Sequence, residues 1–418
     1  MQLMPLAPVD YVFTGHMSCP VTFAFEYSEI LDAKRLQTSL DLLVGYIPWL
    51  GGRLSAHLDG SLAYELTDRP RVLIEVVNSQ SSLNELADDD AVRRVHAFDR
   101  EPLVNARLTQ TPRGSILAVS MSHALVDGFS FFLTMSKWAA CMRGESVEAP
   151  PMERLLLPLD AHVAAASREL SARSMLEESG FFWGHPRPDV RALPRQLRNP
   201  LRAEAIADLI AEAQRGVATK LSQNDVLSAW LWRTYGTKWW SGQGNPDVYL
   251  SCLVDMRRLL GEANASVFGC TISNATARAT FDELVNAPLG ELALRIRAAV
   301  AQVFAGGFEK RVASLEALRR DHGVQAMESV HIRHPQRGLL ITNMSRLPLE
   351  QLDFGCGAPI DMKLYSEFDS MAALLPAPGK DGVMVSIYQP EPRRNHAAGS
   401  RRRPGDRSSS QRAAQEVR

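Results

Sequence analysis

Cysteine is scarce and scattered in this chain. The five cysteines, Cys19, Cys141, Cys252, Cys270 and Cys356, are odd in number, far apart and never form a Cys-x-x-Cys pair. That pattern argues against a disulfide framework or a thiolate zinc site, and leaves buried free thiols as the default. Long apolar runs are also missing. None reaches the ~18 residues needed to cross a bilayer, so no membrane partner is expected. The opening Met1-Gln2-Leu3-Met4-Pro5 has no basic stretch followed by an apolar one, and a cytoplasmic location is expected. The glycosylation sequons at Asn264, Asn274 and Asn343 then carry no weight. No sign of charge dominates overall: 46 basic and 47 acidic side chains leave a net of −1, which offers nothing to nucleic acid. The nucleophile elbow, the phosphate-binding loop and the dinucleotide fingerprint are all absent. His331 and His334 have no third ligand nearby, so surface histidines are expected and no metal.

The near-zero net charge hides an asymmetry. Residues 391–418 carry eight arginines against three acids, with almost no apolar content, and the expectation there is a disordered basic tail. The chain as a whole has ordinary globular composition, 45% hydrophobic and 22% charged over 418 residues, and is long enough for two domains. Strand patterns are expected at 21–27, 72–77, 115–120, 248–255, 339–343 and 382–388, with a further strand after the turn Pro48-Trp49-Leu50-Gly51-Gly52. Helical periodicity covers 31–46, 129–141, 160–177, 203–215, 224–233, 288–303 and 306–322. In the first of these, Leu36, Leu40, Leu43 and Val44 share a face. In 129–141, Phe129, Phe132, Leu133 and Ala140 are expected to pack inward, with Asp127 or Ser130 as cap. Asn224 or Ser222 is expected to cap the 224–233 helix. Asp88-Asp89-Asp90 reads as a solvated loop or helix start. A polar, Arg- and Pro-rich stretch, with Pro186, Pro188, Pro194 and Pro200, reads as a crossover between halves. Strands alternating with helices indicate an α/β protein.

The most chemically suggestive segment is His123-Ala124-Leu125-Val126-Asp127-Gly128. It places an imidazole at the end of a strand, a carboxylate four residues later, and a glycine where the chain enters a helix. Histidine is the usual proton acceptor near neutral pH. Alone, the pattern is weak, and a loop histidine beside a capping aspartate is the better explanation of it.

Further segments in the same order give it weight. Asp353-Phe354-Gly355-Cys356-Gly357 is similar to Asp-Phe-Gly-Trp-Gly, the second signature of the BAHD acyltransferases, and Ser345-Arg346-Leu347-Pro348 precedes it. Val254-Asp255-Met256-Arg257-Arg258 resembles that family's Val-Asp-x-Arg-x-Arg segment, and Phe268-Gly269 its Phe-Gly-Asn. Pro151-Met152-Glu153-Arg154 matches a Pro-x-x-Arg segment, and Leu36 to Leu54 a leucine-rich stretch ending in Gly-Arg-Leu. The collinearity runs from about residue 5 to 388.

The resemblance implies two similar-sized chloramphenicol-acetyltransferase-like domains with mixed sheets and an active-site channel between them. The expected limits are 1–175 and 203–390, with a crossover at 176–202. It implies transfer of an acyl group from acyl-CoA, a co-substrate and not a bound cofactor, to the hydroxyl or amine of a small molecule, by a monomer. His123 would be the general base. Asp127 would support it by pairing with an arginine, for which position selects Arg257. Gly128 would ease the backbone into the helix, and Asp353, Phe354, Gly355 and Gly357 would be structural. Thr342 and Asn343 would meet CoA or the developing oxyanion. The chain departs from the family at Cys356, Cys270 and Met344, and in its Arg-rich tail. A condensation-type acyltransferase using carrier-bound acyl groups shares the fold, but usually has a second histidine where Ser122 stands. A catalytically inactive, ligand-binding relative is the remaining alternative.

Overall fold

A computed structural model describes residues 2–15, 18–57, 61–152, 159–185, 193–305 and 307–390. Glu153 and Arg154 of the Pro-x-x-Arg segment, Pro186, Pro188 and the basic tail 391–418 lie outside the described residues. The side chains of Asp88 and Asp89 do too.

Two mixed sheets dominate an α/β architecture. The first has five strands in the order Asp361–Tyr365, Pro20–Tyr27, Gly114–Ser122, Val104–Thr111 and Ile74–Asn78; all pairs are antiparallel except the last. Its central strands are buried on both faces, so they read as continuous apolar runs in place of alternating ones. The second has six strands in the order Ile272–Thr280, Asp247–Asp255, Gly338–Asn343, Met371–Pro376, Val383–Tyr388 and Gln196–Leu201. Asp247–Asp255, Gly338–Asn343 and Met371–Pro376 run parallel, and the flanking pairs are antiparallel. The first sheet therefore takes one edge strand from residues 361–365, late in the chain. Arg198, on the edge of the second sheet, ion-pairs with Asp361 of that strand at 2.7 Å.

Helices cover the sheets. Ala33–Tyr46 begins on Asp32, whose carboxylate accepts from the Arg35 N–H at 2.8 Å, and buries Leu36, Leu40, Leu43 and Val44. It packs on Gly128–Arg143, where the Trp138 indole N–H donates to Ser39 Oγ at 3.0 Å. The buried face of Gly128–Arg143 is Phe131, Phe132, Met135, Trp138, Ala139 and Met142. This corrects the expected face, because Phe129 is exposed and Leu133 and Ala140 are only half-buried. The reason is that the helix lies under both the sheet and the Ala33–Tyr46 helix, so a strip one position round from the expected one is covered. Gln223–Trp240 opens with a capping box between Ser222 and Asp225, which makes Ser222 the cap and not Asn224.

The expected helix 160–177 is split into Asp160–Glu169 and Ala172–Glu178, because Ser171 caps the second segment. The crossover is more ordered than its composition suggests. Phe182–Trp183 pairs with Val330–His331, and Gln196–Leu201 closes the second sheet. Asp88–Ala91 is a helical turn, the helix-start form of the acidic run. All five cysteines are free, with all but Cys356 buried.

Candidate active site

The strand Gly114–Ser122 ends at the candidate base. After it, the chain is held by hydrogen bonds from His123 N–H to Cys19 C=O at 3.3 Å and from Tyr64 O–H to Ala124 C=O at 2.5 Å. Ala124, Leu125 and Val126 are fully buried, so this short loop is fixed on both sides by packing. The His123 ring lies flat on Phe13, with centroids 3.9 Å apart and planes 8° from parallel. Its Nδ1 is buried and hydrogen-bonds to no other residue. The residue borders the adjoining cavity. Burial pushes its pKa below the ordinary imidazole value, while its own backbone carbonyl and the Asp127 charge oppose that shift. Such an imidazole is neutral at pH 7 and able to accept a proton.

Asp127 is the N-cap of Gly128–Arg143, its Oδ1 accepting from Ser130 N–H at 2.9 Å. The same carboxylate faces Arg257 in a two-pronged pair: Nη1 to Oδ2 at 2.8 Å and Nη2 to Oδ1 at 3.0 Å. The Thr271 N–H adds a third partner at 3.1 Å. Arg257 is 2% exposed, and each guanidinium nitrogen has an acceptor. Nε donates to Val267 C=O, Nη1 also to Asp255, and Nη2 also to Ser130 Oγ and Gly269 C=O. Its guanidinium lies 4.3 Å over the Phe129 ring. Charges this deeply buried are tolerable only with such complete pairing. Position within the matched segment selected Arg257, and the structure brings it to Asp127. Ser130, Thr271 and Gly269 completed the cluster without being singled out for it.

His123, Asp127 and Gly128 border a cavity of about 550 Å³, within the range of small-molecule sites. Its walls come from both sheets: Val21 and Phe23 from the first, Leu253, Ile272, Leu340 and Met371 from the second. Gly128 has no left-handed φ, and a Cβ there would meet only Met344 Sδ at 3.5 Å, an ordinary contact. Its glycine serves the open space at the cavity wall more than any unusual turn.

Thr342 and Asn343 both line the cavity, yet they differ. The Asn343 side chain is committed to the loop. Its Nδ2 donates to Asn224 Oδ1 at 2.8 Å, and its Oδ1 accepts from Ser345 N–H and Oγ–H. The Thr342 hydroxyl has no recorded partner among the described residues. Elsewhere on the wall, Glu367 is paired with Arg94 at 2.8 Å and His96 at 2.7 Å. No short motif marked these three, because they meet across more than 270 residues of chain.

Asp353 to Gly357 do not border the cavity. There the Asp353 carboxylate collects the N–H groups of Gly355, Cys356 and Gly357 at 2.7, 2.9 and 2.8 Å. Burial would raise its pKa, but these three donors outweigh it and hold the carboxyl below its usual range. Gly355 and Gly357 have φ of +93° and +89°, so both need glycine's freedom. Phe354 is buried edge-on against Trp138 and Tyr27.

The two histidines of the pair have separate partners, His331 Nε2 meeting His185 C=O at 2.7 Å. His334 stacks on Tyr249 at 4.6 Å, and its Nδ1 accepts from the Gln336 and Arg337 N–H groups. Burial and the neighbouring Arg337 and Arg333 push it down to about 4. It is half-buried, not a surface residue. No group of metal-ligating side chains is found among the described residues. Asn274 is buried and bound to two backbone carbonyls, out of reach of any modifying enzyme.

A family model described as the Transferase family matches residues 1–393. The chain belongs to this family, the BAHD acyltransferases. It is 25% identical over 385 residues to hydroxycinnamoyltransferase 2 of Oryza sativa subsp. japonica, covering 86% of this chain and 84% of the rice protein. It is also 25% identical over 378 residues to an Avena sativa enzyme named hydroxycinnamoyl-CoA:5-hydroxyanthranilate N-hydroxycinnamoyltransferase, covering 84% of this chain and 83% of that one. Among solved structures it resembles F. graminearum TRI101 complexed with coenzyme A and T-2 mycotoxin. That match has a TM-score of 0.70 at 15% identity, covering 94% of this chain and 96% of the other. The likeness extends to the two-sheet α/β fold. As a BAHD member the protein is an acyl-CoA-dependent acyltransferase. No helix among the described residues is long and apolar enough to cross a membrane.

Proposed function

We propose that His123 is the general base of this acyltransferase, acting on the hydroxyl or amine of a small-molecule acceptor. The observation that carries the reading is the imidazole itself, stacked on Phe13 and bordering a cavity of about 550 Å³, with Nε2 taken as the accepting nitrogen because Nδ1 is buried. The acceptor heteroatom attacks the thioester carbonyl while its proton passes to Nε2. The carbonyl becomes a tetrahedral oxyanion, for which the Thr342 hydroxyl is the available donor; Asn343 positions the loop. Collapse of that intermediate breaks the carbon–sulfur bond, and the imidazolium returns the proton to the CoA sulfur. Base assistance of this kind is worth about 10²–10⁴-fold. Asp127 and Arg257 hold the loop and touch no reacting atom.

The apolar walls, with Phe23, Phe129 and Phe368, suit an aromatic acyl group, and relatives named for hydroxycinnamoyl transfer make hydroxycinnamoyl-CoAs the first donors to try. Residues 1–175 and 203–390 are read as two lobes, joined through 176–202 and exchanging the strand Asp361–Tyr365. All the residues named come from one chain, so one copy suffices. Five free thiols fit a reducing cytoplasm.

The test is turnover of His123→Ala, read as thiol release from acyl-CoA in the presence of pooled alcohols and amines. A loss of at least about 100-fold with an unchanged melting temperature is expected. Near wild-type turnover would remove His123 from the role.

A further inference from the structure

We infer that Phe368 and Ile332 are the wall that closes one end of the cavity and sets the largest acyl group the enzyme accepts. This rests on the acyl-transfer reading above and gives the acyl group a place and a size limit. Both side chains border the main cavity, and both border a second, smaller one of about 160 Å³. They are therefore the partition between the two spaces. The smaller space is otherwise lined by His331, Arg333, Pro335 and Asp369.

The partition is pinned from both sides. Phe368 stands in residues 366–370, a short strap that crosses from the strand Asp361–Tyr365 of the first sheet to Met371–Pro376 of the second. Its N–H donates to Ser366 Oγ at 3.1 Å. Glu367 before it is held by Arg94 and His96. Asp369 after it is held by Arg333, which meets its carboxylate and donates from Nε to its C=O at 3.0 Å. Arg333 is the residue after Ile332, so this pair ties the two halves of the partition together. Ile332 C=O in turn accepts from the Nδ2 of buried Asn274 at 2.6 Å. Ser370 ends the strap with a left-handed φ of +48°, a conformation that a buried residue other than glycine keeps only where its surroundings impose it.

The second sheet shows which reactant meets this wall. Leu340 N–H donates to Ser370 C=O at 2.9 Å, so the strap lies level with Leu340. Thr342, the donor proposed for the oxyanion, lies two residues further along the strand, roughly 7 Å away. Beyond it come Asn343 and, by the parallel register that sets Cys252 opposite Ile341, Asp255. That end of the cavity is polar. At the strap end Leu340, Met371, Ile332 and Phe368 face the space, and Glu367 there is occupied by Arg94 and His96. From a thioester carbonyl at Thr342, an apolar acyl group is favoured toward the strap, away from Asn343 and Asp255. Its reach ends at Phe368.

Titration calorimetry on the full chain tests this without an acceptor. The probes are cinnamoyl-CoA and 4-phenylcinnamoyl-CoA, which carries one further ring. Wild type is expected to bind cinnamoyl-CoA about tenfold or more tighter than the longer probe. Phe368→Ala removes a ring from the wall and opens the space of about 160 Å³ behind it, so it should lose or reverse that preference. Phe368→Trp should widen it. Each result is a ratio of two affinities in one preparation, so a partly folded variant binds fewer equivalents without changing the ratio. A wild type without the preference, or a Phe368→Ala variant that keeps it, overturns the partition and leaves acyl transfer by His123 intact. An unchanged ratio beside an altered ranking of short against long acceptors in turnover also overturns the assignment, by moving the wall to the acceptor. No binding of either acyl-CoA by wild type overturns both readings.

Discussion

Two aspartates, Asp127 and Asp353, each gather several donors onto one carboxylate, and they do opposite work. Asp127 is buried and joins residues more than 100 positions apart: the helix start, Arg257 and Thr271. Asp353 is less buried and gathers the backbone of the next four residues into a local turn. The first ties the start of the Gly128–Arg143 helix to the Arg257 turn beside His123. The second shapes a knob, Phe354, that docks away from the cavity. The lesson is that a carboxylate's importance follows from what its partners would lose, not from how many it has. Backbone N–H groups in a surface turn find water when their acceptor is removed. A buried guanidinium does not.

Arg257→Ala should break that contrast hardest. It leaves the Asp127 charge buried and unpaired, at a cost of about 3–5 kcal/mol in denaturant-midpoint stability, with activity lost alongside. Asp127→Asn should come next, at about 1.5–3 kcal/mol, because the amide keeps the shape and some hydrogen bonds but not the charge. Activity should fall through displacement of the loop; an unchanged kcat would show that the pair does not aim His123. Asp353→Ala should cost about 1 kcal/mol and leave kcat within a few-fold, measured on the same preparations. A larger loss of kcat there would mean that the turn reaches the site.

The smallest effect is the sharpest discriminator. Burial holds the His123 pKa below its ordinary 6.5, so the acid limb of kcat/KM should fall below pH 6.5 in wild type. The Asp127 charge favours the imidazolium, so Asp127→Asn should move that limb to still lower pH. Asp353→Ala should not move it. The sign for stability is the same. A depressed histidine contributes stability above the unfolded pKa, and that contribution is lost as pH falls through the folded one.

Much of this was legible in the sequence, for reasons that differ by element. The Ala33–Tyr46 and Leu289–Phe304 helices were readable because one face is wet, and the apolar period survives. The strands Val104–Thr111, Ile272–Thr280 and Met371–Pro376 were not. Ile-Ser-Asn-Ala-Thr-Ala-Arg-Ala-Thr has little β-branched bulk, and Met-Ala-Ala-Leu-Leu-Pro reads as helix; each is a strand because its neighbours in the sheet make it one. His123, Asp127 and Arg257 stood out through short motifs in the right order. Phe13, Tyr64 and Thr271 did not, since stacking on a ring or closing a loop requires no particular spacing along the chain. The functional difference between Thr342 and Asn343, adjacent and both polar, appears only once Asn224 and Ser345 are seen to occupy the amide.

The late strand Asp361–Tyr365 has a consequence for how the chain is made. It registers against Pro20–Tyr27, so that Asp361 lies opposite Glu26 and Tyr365 opposite Thr22. During synthesis, once Gly114–Ser122 is made, the first sheet must wait for more than two hundred further residues before its edge is covered. Until then Pro20–Tyr27, with Phe23 and Phe25, presents an unpaired apolar edge of the kind that recruits other chains. Contacts this distant slow folding and make the two halves reach their final form together. An isolated first half should therefore be an aggregating fragment, and the emerging enzyme a natural client for chaperones.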